Sequence, residues 1–203
     1  MKAKIYFTLL IAMAFVGMSF TTGNEPLKIG ETSPAFGELT TNLDGKDAVL
    51  RAYLQPKGIM VVFSSNTCPF VKAWEDRYFG LANYCKANNI GFVLINSNAA
   101  KRDGDDSFQA MKNHATEMKY TFPYLMDHNS TIANSFGAKA TPQVYFFDHD
   151  MTLKYRGAID DNHKDASKVT QTYALNALRN YMAGVAISPE ITDALGCSIK
   201  RVK

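Results

Sequence analysis

The chain has 203 residues, 46% hydrophobic and 20% charged, with 13 Phe and 10 Tyr, a composition that excludes a disordered chain and predicts one folded domain with a substantial core. Its formal charge is +3, and setting aside Lys2 and Lys4 leaves 20 basic against 19 acidic residues, or +1. So even a balance excludes an electrostatic nucleic-acid surface.

Lys2 and Lys4 precede an uncharged apolar run from Ile5 to Phe20 and then small and polar residues up to Gly23. This pattern predicts a secretory signal peptide over 1–23, its apolar run being shorter than the roughly 20 residues that cross a bilayer, with an uncleaved membrane anchor as the alternative reading. The expected product is exported, to a periplasm or to the outside of the cell, without stable membrane insertion after cleavage. The mature domain is expected over 24–203.

Phe36 to Thr40 and Ala48 to Leu50, joined by Leu43-Asp44-Gly45-Lys46, predict an N-terminal β-hairpin. The continuous apolar run Ile59 to Phe63 predicts a strand covered on both faces. From Pro69 to about Ala87, Phe70, Val71, Trp74, Tyr78, Leu81, Ala82 and Cys85 recur at helical spacing, with Pro69 suited to the first turn. Gly91 to Asn96 supplies the next buried strand, completing a βαβ unit.

Asp105 and Asp106 are expected to open a second helix, where they would favour its dipole, with Phe108, Met111, Ala115 and Met118 on its apolar face. A short strand at Tyr124 to Met126, a helical turn from Ile132 to Phe136 and a strand from Gln143 to Phe147 follow. Met151 to Arg156 should pair with that last strand across the Asp148-His149-Asp150 turn. Thr170 is expected to cap a final helix bearing Ala174, Ala177, Leu178 and Tyr181, which Gly184 closes. Residues 185–203 remain as a mobile C-terminal tail.

Cys68 stands at the predicted start of a helix, where unpaired N–H groups and the helix dipole favour thiolate over thiol. The segment Val61 to Lys72, with Thr67-Cys68-Pro69-Phe70 at its centre, resembles the strand, active-site turn and helix of the thioredoxin superfamily. Ala140-Thr141-Pro142-Gln143 is similar to that superfamily's segment in which a cis proline faces the active-site cysteine. The Ile29 to Phe36 stretch resembles the start of peroxiredoxin-type redoxins. Tyr155 to Asp161 and Gly196-Cys197-Ser198-Ile199-Lys200 extend the likeness to a peroxiredoxin-like, AhpC/TSA-type subgroup.

The resemblance implies an α/β fold, a thioredoxin-like three-layer sandwich with a central mixed sheet flanked by helices. It also implies a nucleophilic Cys68, with Thr67, Pro69, Thr141 and Pro142 lining the substrate site. Val71 occupies the place of the second cysteine of a Cys-x-x-Cys motif, and Val62 the strand position of the superfamily's buried acid. Cys197 is then the candidate resolving thiol, with a permanent bridge or a free thiol as alternatives. Cys85, on the helical stripe, reads as a buried hydrophobe.

The activity this implies is thiol-disulfide exchange with protein thiols or disulfides, or reaction with small oxidants. An atypical thiol peroxidase is the second reading, weakened because Val61 and Pro142 replace residues of the peroxidase pattern and only Arg156 offers a substitute arginine. A non-catalytic binding module is the third. No cofactor is expected, and His114, His128, His149 and His163 make no metal-ligand spacing with the cysteines.

Overall fold

The structure is a computed structural model that describes residues 25–202. The leader expected over 1–23 lies outside the described residues. Seven strands form one mixed sheet: β1 (Leu39–Asn42), β2 (Asp47–Val49), β3 (Ile59–Ser64), β4 (Gly91–Asn96), β5 (Tyr124–Asp127), β7 (Gln143–Phe147) and β8 (Leu153–Gly157), in the order β2-β1-β5-β4-β3-β7-β8. β3, β4 and β5 run parallel, while β7 is antiparallel to β3. A separate pair joins β6 (Ala140–Thr141) to β9 (Cys197–Ser198).

Alternation along β3 explains the layers. Met60 and Val62 face the side covered by α1 (Pro69–Ala87), α2 (Phe108–Glu117) and α4 (Tyr173–Met182), packing with Val71, Trp74, Met111 and Leu178. Ile59, Val61 and Phe63 face the side covered by α3 (Thr131–Phe136) and the N-terminal turns, packing with Phe36, Leu50 and Phe136. A strand with both faces covered must be apolar throughout, as β3 is. The result is a three-layer α/β sandwich.

Several local expectations are corrected. Phe36 sits in a 3-10 turn, Pro34–Gly37, because Pro34 fixes a helical φ and Ser33 Oγ caps Ala35 N–H at 3.2 Å. The hairpin strand begins later, and β1 also pairs with β5, so the hairpin extends the main sheet. Ser107, not the preceding aspartates, caps α2 by accepting from Ala110 N–H at 3.2 Å. Thr170 does not cap α4: its hydroxyl donates to Asp161, and Thr172 stands at the cap, its hydroxyl donating to Asn176 Oδ1 at 3.0 Å and capping no backbone N–H.

The C-terminal tail expected to be mobile is docked at several points. Thr192 N–H donates to Arg156 C=O at 3.1 Å, and Ile199, itself buried, donates to Lys139 C=O at 3.1 Å. Arg201 reaches Asn134 Oδ1 at 2.6 Å. Two glycines permit the close approach: a Cβ on Gly157 would lie 2.1 Å from Thr192 Oγ1, and one on Gly196 would lie 2.3 Å from Thr141 O. The segment between these anchors is a strap pinned at both ends.

Candidate functional site

β3 delivers the chain to a turn, Ser65 to Thr67, and Cys68 follows as the N-cap of α1 with Pro69 as its first residue. Cys68 has extended backbone angles, and its carbonyl accepts the first helical bond from Lys72 N–H at 3.1 Å. Its side chain therefore sits where the first N–H groups of α1 lack helical partners. Val71 buries its isopropyl group in the core, but its backbone N–H faces the Cys68 sulfur.

The second side of the site comes from β6 and β9. The Thr141-Pro142 peptide bond is cis, and Thr141 O lies 3.2 Å from Cys68 Sγ. Thr141 pairs in register with Cys197, which brings Cys197 Sγ to 2.6 Å from Cys68 Sγ. Thr67 and Pro69 are exposed on either side of Cys68, which is itself only 4% exposed because the strap covers it. Neither Thr67 nor Pro69 bonds the sulfur; they form its rim, while Pro142 is buried behind Thr141.

The two thiols are electrostatically unequal. Burial pushes the Cys68 thiol up, but hydrogen bonds from the Cys197 side chain, Val71 N–H, the Thr141 side chain and Cys197 N–H outweigh it and bring the thiol below its ordinary value. Burial, the bond to Cys68 and the nearby Cys68 charge push Cys197 up to about 11. Cys68 is thus the more readily ionised of the two thiols. Cys85 lies fully buried near the C-terminal end of the apolar stripe of α1, and burial pushes it up to about 12.

Arg156 does not join this site. It pairs with Tyr145 across β7 and β8 and so shares the Tyr145 face of the sheet, whereas its neighbour Tyr155 packs in the layer that holds Cys68. Its Nε is buried without a partner. The Tyr155 to Asp161 motif is structural: Tyr155 OH donates to Ala158 O at 2.6 Å, and Asp160 accepts from Trp74 Nε1 at 2.6 Å and Arg77 Nε at 3.3 Å.

Buried polar residues were the part that periodicity missed. Glu75, on the apolar stripe of α1, takes His114 Nε2 at 2.6 Å and the Tyr120 hydroxyl, an acid–histidine pair that residue spacing did not reveal. Asp106 accepts from the Asn66 backbone N–H at 3.0 Å and from Asn96 Nδ2 at 2.6 Å. A cluster of asparagines around one aspartate was the available signal. In the β7–β8 turn, Asp148, His149 and Asp150 place ligand atoms within 4.8 Å of one another. Asp148 already accepts Asp150 N–H and Thr152 N–H and pairs with Lys154 at 3.0 Å, which gives it a turn-forming role.

A cysteine at a helix N-terminus, facing the Thr141-Pro142 segment beside a mixed sheet flanked by helices, is the arrangement of a thioredoxin-like fold. Residues 29–156 match the AhpC/TSA family, and the chain belongs to it. An uncharacterized conserved protein from Geobacillus kaustophilus is 34% identical, with a TM-score of 0.79 over 86% of this chain and 93% of that one. A hypothetical protein from Sinorhizobium meliloti 1021 is 24% identical, with a TM-score of 0.78 over 90% and 99%. A secreted Mycobacterium tuberculosis disulfide oxidoreductase shares the fold at 19% identity, with a TM-score of 0.51 over 74% and 98%. No curated protein matches the sequence. Among the described residues no helix is long and apolar enough to cross a membrane.

Proposed function

We propose that this protein is an exported thiol-disulfide oxidoreductase in which Cys68 is the nucleophile and Cys197 the resolving thiol. The observation that carries the reading is the apposition of a lowered thiol and a raised one, 2.6 Å apart. The apolar leader supports export. The substrates are disulfides or thiols of other proteins, approached along the rim made by Thr67 and Pro69 and the backbone of Thr141.

In the oxidising direction for Cys68, its thiolate attacks one sulfur of a partner disulfide. That disulfide breaks, a Cys68–partner bond forms, and the partner's second sulfur leaves as thiolate. The Cys68 charge that held Cys197 up then disappears, so Cys197 loses its proton more readily and attacks Cys68 Sγ. The partner's first sulfur leaves, the partner is reduced to a dithiol, and Cys68–Cys197 is the oxidised product. Resolution is thereby delayed until the mixed disulfide exists.

The test is a disulfide-reduction assay with mass mapping. Cys68→Ser should abolish turnover, and Cys197→Ser should accumulate a mixed disulfide on Cys68. Turnover that survives Cys68→Ser, or a Cys197→Ser variant that traps nothing, would count against the reading. The AhpC/TSA match favours a second reading, an atypical thiol peroxidase. It predicts a Cys68-dependent reaction with hydroperoxide much faster than that of free cysteine.

A further inference from the structure

One buried carboxylate is bonded toward both halves of the thiol pair. Asp106 lies between β4 and α2 and is 1% exposed. Its Oδ1 accepts from Asn66 N–H at 3.0 Å, Asn96 Nδ2 at 2.6 Å and Ser65 Oγ at 3.4 Å, and its Oδ2 accepts from Asn98 Nδ2 at 2.9 Å. The Asn98 Oδ1 in turn accepts Lys200 N–H at 2.8 Å, while Ala100 N–H donates to Lys200 O at 2.9 Å.

Asn66 stands two residues before Cys68, and Lys200 three residues after Cys197. A continuous buried path therefore runs from the nucleophile turn through Asn66, Asp106 and Asn98 to the strap. Each backbone donor it satisfies lies just beyond the end of a strand, β3 on one side and β9 on the other, where no ladder partner remains. Arg102 reinforces the path by donating to Asn96 Oδ1 and to the Asp106 carbonyl, each at 2.8 Å.

We propose that Asp106 is a positioning residue for the thiol pair, holding the Cys68 turn directly and the Cys197 strap through Asn98 in one frame. The inference rests on the reading of Cys68 and Cys197 as a redox couple. Asp106 bonds neither sulfur. It raises the effective concentration of one thiol at the other, which is what fixed geometry contributes to an intramolecular step. Charge-assisted bonds suit the task because each restrains its donor more strongly than a neutral bond does.

The experiment equilibrates the protein in glutathione redox buffers and reads the ratio of Cys68–Cys197 disulfide to Cys68–glutathione mixed disulfide. Asn98→Ala, which cuts the link to the strap and leaves the Asn66, Asn96 and Ser65 bonds to Asp106 in place, should lower that ratio about tenfold, the size expected when a buried hydrogen bond to the strap is lost. Asp106→Asn should lower it at least as far. In a Cys197→Ser background, Asp106→Asn should also move the pH profile of Cys68 alkylation, and Asn98→Ala should not; a merely structural role would not separate those two readouts.

Should Asp106→Asn fail to fold, Asn98→Ala decides alone. A ratio within twofold of the parent in a folded Asn98→Ala variant overturns the proposal. If the parent forms no Cys68–Cys197 disulfide in any buffer, the redox reading itself falls and this one with it. If the parent forms the disulfide but the ratio is insensitive to both variants, only the positioning role is lost.

Discussion

The sulfur of Cys197 lies 2.6 Å from that of Cys68 although 129 positions of sequence separate them. Closing a loop of that length by oxidation should stabilise the folded protein by about 4–5 kcal/mol, through the chain entropy removed from the unfolded state. The denaturation midpoint of the oxidised protein is expected well above that of the reduced one, with Cys197→Ser insensitive to oxidant. Equal midpoints in both states would mean that the pair does not close.

Gly196 should control that closure from one residue away. A methyl group there would meet Thr141 O at 2.3 Å, a backbone atom that cannot swing aside. Gly196→Ala is expected to lift the strap, expose Cys68 and slow intramolecular disulfide formation by up to about a hundredfold, the order of loss that a 1 Å misplacement of reacting groups can cause. Quenched-flow alkylation after an oxidant pulse measures it. Closure at the parental rate would show that the strap yields without cost.

The βαβ unit was legible because β3, α1 and β4 each carry an unambiguous apolar pattern, and α1 and β4 match their expected bounds. The motif around Cys68 was legible as a helix start because the cap and the proline after it are local in sequence, and Cys68 does stand at the N-cap of α1. The docking of the tail was not legible. It depends on Gly157, Gly196, Ile199 and Arg201 each meeting a residue distant in sequence, and such contacts leave no period along the chain. Asp106 was misread as a dipole residue because composition at a helix start cannot distinguish a capping carboxylate from one turned inward to bind asparagines.

Cys85 offers a test that separates packing from chemistry. Its thiol is pushed up to about 12 by burial, whereas an unfolded thiol titrates near 8.5. The folded state therefore keeps a proton that the unfolded chain releases, so this contribution is fully present below about pH 8.5 and is lost as the pH rises toward 12. Cys85→Ala should cost about 1–2 kcal/mol at pH 7 from lost packing, and should weaken the alkaline decline measured by denaturant unfolding of the reduced protein. Cys68 alkylation should be unchanged. A variant with the parental decline would place the alkaline sensitivity elsewhere, in the buried tyrosines.

Asp160 ties the helix that carries Cys68 to the loop after β8. It accepts from Trp74 Nε1 at 2.6 Å, Asn162 N–H at 2.9 Å and Arg77 Nε at 3.3 Å, with its side chain 3% exposed. Asp160→Ala strands the indole N–H and leaves the Arg77 guanidinium with only its other acceptors, Ala73 O, Asp76 and Asn162 O. The expected loss is about 2–3 kcal/mol, less than for a wholly uncompensated buried charge because those acceptors persist. Asp160→Asn, which keeps an oxygen for Trp74, should lose about half as much. Trp74 is the only tryptophan, so urea denaturation followed by its fluorescence reads both variants at the place where the bond is cut. If Asp160→Ala unfolds at the parental midpoint, the Tyr155 to Asp161 motif does not hold α1, and its place in the chain must answer to the site instead.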